Sequence, residues 1–468
     1  MPPVEVTEGV LIAASKAIDR AASRGGRRLV SATIRAEALD PSAMVFASRL
    51  ASDRWFCWEQ PDGDGFALGA LGSAAEVVSR GAERFEQVAR DCGELLEGAA
   101  LSEPEGLPAG AGPVWTGGFA FAAEGGSQPQ WSSLPPALMV LPELSLLRSG
   151  GECFLTLNAV VSGERDAGEA LARLERRLAG LRGTVIGPLD PEPTARAEIS
   201  SPHPPGRYEL LVAEATRRIG EGGIEKAVLA REILVTAAAA HDPAPLFGAL
   251  RELFPSCFCF CAGTPEAAFI GASPELLIRR RGPVAATVAL AGSTRRSADP
   301  AVDDHLGEQL LVSSKDRSEH EIVARRIERA LRPHAVWIQR EEDPTVVKVA
   351  NIQHLATPIR AQLAQSHSAI SLAGKLHPTP AVGGEPSDPA QRLIAEIEAL
   401  DRGWYAGPVG WMDATEDGEF CVALRSALLR DRTAHLYTGA GIVADSDPAA
   451  ELAETEIKLE ALLPLIAG

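Results

Sequence analysis

The chain has 468 residues, of which 46% are hydrophobic and 23% are charged, and its formal net charge is −18. This composition is typical of a soluble globular protein, and the length predicts one large domain or two ordinary ones. The acidic balance argues against binding to nucleic acid, no apolar run approaches the ~20 residues of a membrane span, and residues 1–5 lack a signal-peptide pattern. We therefore predict a cytoplasmic protein that binds neither nucleic acid nor a membrane.

The first part of the chain, residues 1–190, is rich in Gly and Ala and carries weak secondary-structure signals. A proline-rich stretch at 187–205 follows it. Prolines at that density interrupt helices and central strands, so this stretch is predicted to be a linker or a surface loop. The clearest signals in the first part are strands at 67–71 and 154–157 and helices at 82–92 and 167–181.

The second part, residues 206–468, has sharper periodicity. Strands occur both with and without intervening helices, which predicts a mixed α/β architecture with largely antiparallel sheets. The predicted strands are 226–235, 257–262, 267–270, 420–428 and 435–442, and the predicted helices are 208–219, 304–331, 366–376, 389–401 and one from about 449 onward.

The seven cysteines show no zinc-binding or redox spacing. Cys257, Cys259 and Cys261 alternate with phenylalanines, so a strand would place the three thiols on one face. We interpret them as small buried hydrophobic residues.

Two acidic clusters stand far apart in the chain, one around Glu319 and one around Glu454. Glu319 is followed three and four residues later by apolar side chains, so it leans toward the buried side of its helix. Glu451, Glu454 and Lys458 share one helical face. Carboxylates that face a core need a cation, and a bound metal is the simplest one. The alternative is that both helices carry ordinary surface salt bridges.

Two further side chains are candidates for acid–base chemistry. Lys226 opens a predicted strand and shares a face with Val228 and Ala230, where loss of solvation would favour the neutral amine that can act as a base. Glu275 follows a proline and precedes three aliphatic residues, an environment that raises a carboxyl pKa and suits a general acid. On local grounds alone, the lysine could equally reach solvent, and the glutamate could be a simple turn residue.

Two loops could line a pocket. Residues 291–293 include Gly292 and Ser293, whose backbone N–H groups and hydroxyl could meet an anion, although such a pair is weak evidence alone. Residues 377–384 form a rigid, side-chain-poor segment. His377 by itself is more often structural than catalytic.

The whole constellation resembles the chorismate-utilising enzymes, a family that includes isochorismate synthases, salicylate synthases, anthranilate synthase large subunits and aminodeoxychorismate synthases. The resemblance covers residues 208–468 and is looser before them. It is carried in chain order by Lys226, Ser273-Pro274-Glu275, Ala291-Gly292-Ser293, Lys315-Asp316-Arg317, Glu319-His320, His377-Pro378-Thr379-Pro380, Arg425, Gly439-Ala440-Gly441-Ile442-Val443, Glu451, Glu454-Thr455 and Lys458.

This resemblance implies an α/β fold of the α+β type, a large single domain of antiparallel sheets in a sandwich with outer helices. Residues 1–190 would complete the fold and residues 206–468 would form the chorismate-binding catalytic part, intertwined in one domain. It also implies one Mg²⁺, held by Glu319 and Glu454 with Glu451 nearby. The implied substrate-binding residues are Gly292, Ser293, His377, Ala381, Val382, Arg425, Gly441 and Lys458.

The resemblance also implies which of the family's reactions this chain catalyses. Lys226 resembles the base that activates water in isochorismate and salicylate synthases, whereas anthranilate synthases usually carry Gln there. Aminodeoxychorismate synthases usually carry Lys where this chain has Ala291. The segment 377–381 resembles the isochorismate-forming branch, which implies conversion of chorismate to isochorismate with Lys226 as base and Glu275 as acid. Some isochorismate synthases have Leu where this chain has Val382.

Two alternatives stay open. A smaller side chain at Val382 could allow pyruvate elimination, as in a salicylate synthase. An inactive chorismate-binding subunit would be expected to lack one of Lys226, Glu275, Glu319 and Glu454, and all are present. The resemblance implies no glutaminase partner, and a monomer is expected.

Overall fold

The computed structural model describes residues 4–190, 197–349 and 352–468. The helices are α1 (Val4–Arg24), α2 (Pro41–Ser48), α3 (Arg84–Leu96), α4 (Glu164–Ala179), α5 (Pro205–Gly220), α6 (Pro243–Leu253), α7 (Pro300–Val312), α8 (Ser314–Leu331), α9 (Ala369–Leu376), α10 (Ser387–Ile397), α11 (Pro448–Leu459) and α12 (Leu463–Ala467). The strands are β1 (Arg28–Ala36), β2 (Trp55–Gln60), β3 (Phe66–Leu71), β4 (Ala75–Ser79), β5 (Ala100–Ser102), β6 (Val114–Phe119), β7 (Ala137–Leu141), β8 (Leu144–Ser149), β9 (Glu152–Val161), β10 (Glu198–Ser200), β11 (Lys226–Thr236), β12 (Phe258–Gly263), β13 (Ala268–Ser273), β14 (Leu276–Arg281), β15 (Val284–Arg295), β16 (Ala335–Arg340), β17 (Thr345–Val349), β18 (Ile352–Leu363), β19 (Gly384–Glu385), β20 (Pro408–Asp413), β21 (Gly418–Val422), β22 (Ser426–Arg430) and β23 (Thr433–Ile442).

The strands form two large sheets. The first sheet has the order β10-β11-β23-β22-β13-β12-β2-β3-β8-β9-β1-β5, with β19 also paired to β11. The second has the order β16-β18-β15-β14-β21-β20-β6-β7-β4, with β17 also paired to β18. Within the described residues, every pair is antiparallel except β1 with β5. Strands from before and after the proline-rich stretch are neighbours in both sheets, as β2 with β12 and β6 with β20 show.

A shared hydrophobic core lies between the two sheets. Trp58 of the first sheet and Trp115 of the second are both fully buried in it. Phe66 and Trp411 stack across the interface with their ring centroids 5.3 Å apart. A second cluster lies on the outer side of the first sheet, under helices that include α1, α4 and α6. This arrangement confirms the predicted mixed α/β fold of antiparallel sheets with outer helices.

Two predicted elements are each divided in the structure. The predicted helix 304–331 is two helices, because Ser313 has an extended backbone and its side chain caps α8 by accepting from the amide of Asp316. The predicted strand 420–428 is also two strands, and they belong to different sheets: β21 lies in the second sheet and β22 in the first. The chain crosses between the sheets at 423–425, where Arg425 has φ of +46°.

The proline-rich stretch has no regular structure over 187–190 and contributes only β10 before α5; residues 191–196 lie outside the described part. All seven cysteines are buried and unbonded to one another, as predicted for small apolar residues. Among the described helices, none is both long and apolar enough to cross a membrane.

Candidate active site

A cavity lies where β11 and β23 of the first sheet meet β15 of the second, beneath α8 and α11. It contains about 850 Å³ of space free of protein atoms, its open mouth included. The predicted site residues that line it are Lys226, Glu275, Gly292, Ser293, Glu319, Ala381, Val382, Arg425, Gly441, Glu454 and Lys458. Residues that are far apart in the chain thus converge on one concave surface.

Lys226 is buried in the cavity wall. Its side chain is 1% exposed, which excludes the alternative that it reaches solvent. Because β11 begins at Lys226 and side chains alternate along a strand, it faces the same side as Val228, which also lines the cavity. The Lys226 Nζ donates to Oε1 of Glu319 at 2.7 Å. The carboxylate therefore orients the amine and compensates its charge when it is protonated.

Gly441 provides the space that this contact needs. It lies on β23, opposite Val228 of β11. A Cβ atom at this position would lie 2.7 Å from Cε of Lys226 and 2.9 Å from Oε1 of Glu319. Both distances are shorter than van der Waals contact, so a side chain here would displace the lysine or the glutamate.

Glu275 is also buried, between β13 and β14. Its amide donates to Oγ of Ser273 at 3.2 Å, and its carbonyl accepts from the amide of Val422 at 3.0 Å, so the turn is held to β21. Burial raises the pKa of the Glu275 carboxyl to about 7, against the opposing effects of Lys226 and of the Thr379 hydroxyl, which donates to it at 3.4 Å. A carboxyl with this pKa is available as a proton donor near neutral pH.

Lysines meet the two half-buried carboxylates that α8 and α11 present to the cavity. Glu454 accepts from Nζ of Lys458 at 2.7 Å and from Oγ of Ser293 at 3.3 Å. Burial opposes ionisation of Glu454, but Lys458 and these hydrogen bonds outweigh it and hold its pKa below the usual value. The alternative interpretation, exposed surface salt bridges, therefore does not describe Glu319 and Glu454, which line the cavity.

Glu451 stands behind the cavity wall and does not line it. It accepts from Oγ of Ser446 at 2.7 Å and lies 3.6 Å from Nζ of Lys315. Burial raises the pKa of Glu451, and the nearby charges of Glu454 and Glu319 raise it further. In the part of the chain that the structure describes, no three metal-binding side chains are gathered closely enough to hold an ion. The three carboxylates are nonetheless within electrostatic range of one another and supply only hard oxygen donors.

Arg425 presents a buried guanidinium to the cavity. Within the part of the chain that the structure describes, its buried Nη1 has no hydrogen-bond partner, and its Nη2 lies 3.1 Å from Nε2 of His354. Burial, Arg425 and Lys458 together lower the pKa of His354 well below its usual value, so the imidazole is neutral and accepts this hydrogen bond. A buried guanidinium with a free donor suits an anionic ligand, and a carboxylate in particular.

His377 is not part of the cavity wall. Its Nε2 bonds to the carbonyl of Phe121 at 2.9 Å, and its ring packs beside Phe85 and Phe121. Burial and the charge of Arg84 lower its pKa to about 3, so it is a neutral donor. The structure thus places His377 at the start of the 378–384 segment and outside the cavity lining, and its predicted role in substrate binding stays a prediction.

Several cavity residues carry no signal in the sequence. His354 lies within β18, and Thr438 lies within β23, in patterns that any buried strand could show. Arg402 and Tyr405 lie in an irregular segment after α10, and they also line the cavity. The order of the strands brings His354 and Thr438 to the site. A search for buried polar residues in strands could have suggested these two residues, but not where they lie in the fold.

Comparison with known proteins agrees with this architecture. Residues 16–467 match the family described as chorismate binding enzyme. The chain is 35% identical over 451 residues to isochorismate synthase MenF of Bacillus subtilis, covering 94% of each chain. It is 34% identical over 448 residues to a salicylate biosynthesis isochorismate synthase of Pseudomonas aeruginosa, covering 96% of this chain and 92% of that protein.

A solved structure shows the same fold. The menaquinone-specific isochorismate synthase MenF from Escherichia coli superposes with a TM-score of 0.80 at 26% identity, covering 98% of this chain and 100% of that one. The two sheets, with the cavity between them, thus form the fold of a chorismate-utilising enzyme. The chain belongs to the chorismate binding enzyme family.

Proposed function

We propose that this protein is an isochorismate synthase, an isomerase that converts chorismate to isochorismate by adding water at ring C2 and losing the C4 hydroxyl. The observation that carries the proposal is that two buried side chains, Lys226 and Glu275, face one cavity, and that burial raises the pKa of Glu275 to about 7. An amine base and a neutral carboxylic acid are the pair that this exchange of hydroxyl groups requires. The family relatives named isochorismate synthase support the same assignment.

The proposed roles follow from the geometry. Lys226 takes a proton from the water that attacks C2, and Glu319 stabilises the ammonium that results because it accepts from the same nitrogen at 2.7 Å. Glu275 donates its proton to the departing C4 hydroxyl. One water enters and one leaves, so atoms balance and no redox partner is needed. The roles exchange in the reverse direction.

The cations bind the substrate's two carboxylates. The Nη1 of Arg425 is a buried donor to which no described residue bonds, and Lys458 lies within the same cavity. These two side chains provide local positive charge in a protein whose net charge is −18. We also propose that the chain acts without a glutaminase partner, because the nucleophile is water rather than ammonia.

The donor chemistry of the carboxylate cluster matches a magnesium ion, although no three of its side chains are gathered into a ligand set among the described residues. Glu319 and Glu454 would hold the ion, with Glu451 behind them, because oxygen-only donors suit this cation and because burial, and then the charges of Glu454 and Glu319, raise the pKa of Glu451. When bound, Mg²⁺ would hold the ring carboxylate of chorismate and disperse its charge.

Product analysis tests the proposal. Purified protein with chorismate is expected to form isochorismate when Mg²⁺ is present, and to lose turnover when EDTA is added and regain it when Mg²⁺ is restored. Chromatography of the reaction mixture provides the measurement, with Ca²⁺ as a control for a cation of equal charge and larger radius. Salicylate with stoichiometric pyruvate would instead make the protein a salicylate synthase, an alternative that Val382 in the cavity wall keeps in view. Absence of any product from chorismate would contradict both.

Replacing Gly441 by alanine should impair turnover. The added Cβ would lie 2.7 Å from Cε of Lys226, so the amine or Glu319 must move, and a displacement of about 1 Å can cost about 10²-fold. Steady-state kinetics would show the loss mainly in kcat. Gly220→Ala is the matched control, since a Cβ there meets nothing within 4 Å. Equal rates for the two variants would contradict the proposed position of Lys226 at the reacting centre.

The product suits two kinds of downstream synthesis. Relatives in the same family include the menaquinone-specific enzyme from Escherichia coli and the isochorismate synthase DhbC of Bacillus subtilis. We propose that isochorismate from this enzyme supplies menaquinone or siderophore synthesis.

A further inference from the structure

We propose that Arg402 and Glu398 are positioning residues that hold the cavity-wall segment 378–384, here called the wall loop, against the strand that carries Lys226. By doing so they suppress pyruvate elimination and keep isochorismate as the product. This inference rests on the proposed isochorismate synthase activity and assigns a specificity determinant to it.

The two residues form an ion pair in the interior. The side chains of Arg402 and Glu398 are 3% and 2% exposed. The Nε of Arg402 donates to one carboxylate oxygen at 2.7 Å, and its Nη2 donates to the other at 2.6 Å. Removing both charges from water is costly, and an apolar pair often stabilises a fold equally well. Stability alone is therefore a poor account of an ion pair at this position.

The remaining bonds of the pair join two walls of the cavity. Arg402 donates from Nη1 to the carbonyl of Val382 at 2.9 Å, and from Nη2 to the carbonyl of Val228 at 2.7 Å. Glu398 accepts from the amide of Ala230 at 2.8 Å. The guanidinium also lies 4.2 Å from the ring centroid of Phe121, which limits its movement. The pair thus cross-links the wall loop to β11, two residues from Lys226.

The wall loop connects the proposed base with the proposed acid. Its far end pairs with the start of β11 through Gly384 and Glu385, and the amide of Val228 donates to the carbonyl of Gly383 at 2.8 Å. Its near end contacts Glu275 through the hydroxyl of Thr379 at 3.4 Å. Movement of Val382 would therefore enlarge the cavity beside both groups.

The size of the cavity here decides between two outcomes for isochorismate. Elimination breaks the bond between the ring carbon and the ether oxygen, and the hydrogen on ring C2 passes to the methylene carbon of the side chain, giving salicylate and pyruvate. The enolpyruvyl group must fold over the ring for this transfer. A wall that the Arg402–Glu398 pair holds in place restricts that folding, and no added reactant is involved.

Arg402→Lys is the test variant. An ammonium keeps the charge opposite Glu398 but cannot span two carbonyls and a carboxylate as the planar guanidinium does. We expect the ratio of pyruvate to isochorismate to rise about fivefold or more, with KM for chorismate changed by less than about threefold, since a small displacement at the reacting atoms affects later steps more than binding. The product ratio does not depend on the fraction of folded protein, so destabilisation alone cannot produce the change.

Arg177→Lys is the matched control. Arg177 is also a mostly buried arginine that binds two carboxylates, those of Asp53 and Glu143, but it lies away from the cavity. It should lower the melting temperature and leave the product ratio unchanged. If Arg402→Lys does not fold, Glu398→Gln takes its place, because it removes only the charge of the carboxylate and retains an acceptor for the amide of Ala230.

Hydrogen exchange separates this inference from the proposed activity. In the variant, the amides of Val382 and Gly383 should exchange about tenfold faster or more, while those of α4 stay unchanged; the rates report local opening whatever reaction the enzyme catalyses. If wild-type protein forms no isochorismate, the proposed function is overturned. If the exchange rates in the wall loop are unchanged in the variant, the inferred role of the pair in holding this loop is overturned. A product ratio within twofold of wild type would overturn the specificity role by itself.

Discussion

Lys226→Ala is expected to lower kcat for isochorismate formation by about 10²-fold or more, the usual contribution of a general base. The amine of Lys226 is buried and donates to the carboxylate of Glu319 at 2.7 Å. Because the site is enclosed, we expect no mobile surface side chain to take over the proton transfer. Lys226→Gln should show the same loss, because glutamine retains a donor for Glu319 but cannot accept the proton. Steady-state kinetics at saturating chorismate provides the measurement.

A second lysine serves as the control for Lys226. Lys375 is at the end of α9, outside the cavity, and lies 3.9 Å from Glu86 at the surface. Lys375→Ala should leave kcat within about twofold of wild type, as surface substitutions generally do. Circular dichroism would establish that the Lys226 variants fold. A near-normal rate in Lys226→Gln would remove this residue from the role of base.

Glu275→Gln is expected to lower kcat by about 10²–10⁴-fold, since the amide cannot protonate the leaving hydroxyl. Glutamine fits the same space and retains an acceptor for the Thr379 hydroxyl. In the wild type, kcat/KM should fall as pH rises through about 7, the pKa to which burial raises this carboxyl, because only the protonated acid donates. The residual kcat/KM of the variant should not show this fall on the alkaline side of the pH profile. A pH profile of both proteins provides the measurement.

Stability offers a readout of Glu275 that is independent of activity. Its pKa is raised from 4.5 to about 7 on folding, so the folded state binds the proton more tightly than the unfolded state. Its contribution to stability is therefore fully present below pH 4.5 and is lost as pH rises toward 7, by about 3 kcal/mol. Relative to wild type, Glu275→Gln should gain stability over that interval. Urea unfolding at pH 4.5 and pH 7.5 would show it.

Glu59→Gln is the control for the pH profile of Glu275. Glu59 is a buried carboxyl whose pKa burial also raises, but it lies on β2, outside the cavity. Its replacement should leave the alkaline limb of kcat/KM in place. If that limb were also lost, the pH dependence would report a general effect of buried carboxyls rather than proton donation by Glu275.

The ion pairs around the cavity show how an acidic protein can bind a dianionic substrate. Lys226 and Lys458 are each paired with a carboxylate, whereas Arg425 has a buried nitrogen without a hydrogen-bond partner among the described residues. Cations that are already compensated are stable in the free enzyme, and a guanidinium with an unused buried donor is well placed to bind a carboxylate. The cations available to the substrate are therefore gathered locally, in a chain whose net charge is −18.

Much of the fold was predictable from local pattern. Periodicity placed the helices α3, α4, α5 and α11 and the strands β11 and β23 to within a few residues. This worked because a strand or helix that buries one face must repeat its apolar side chains at the period of that element. The pattern failed at 304–331, where the capping residue Ser313 divides two helices, and at 420–428, where a three-residue crossing divides two strands.

For the candidate site, too, the sequence could suggest the residues but not how they come together. Lys226, Glu275, Glu319 and Glu454 could be proposed from the sequence because, taken together and in order, they resemble a known family, whereas local pattern alone left a structural alternative for each of them. Their meeting in one cavity depends on contacts between segments more than 90 residues apart, such as the bond between Lys226 and Glu319, whose separation along the chain is 93. No local propensity encodes such a contact, since it follows from strand order.

The roles of His377, Arg425 and Arg402 show the limit most clearly. The sequence suggested a pocket residue at 377, yet packing directs the ring to the carbonyl of Phe121. Arg425 faces the cavity because the chain leaves one sheet for the other there, and Arg402 reaches it from an irregular segment. Residue types and their periodicity determined the class of fold and the candidate chemistry. Tertiary packing alone decided which side chains share the cavity, because burial and hydrogen-bond partners depend on neighbours that are distant in the chain.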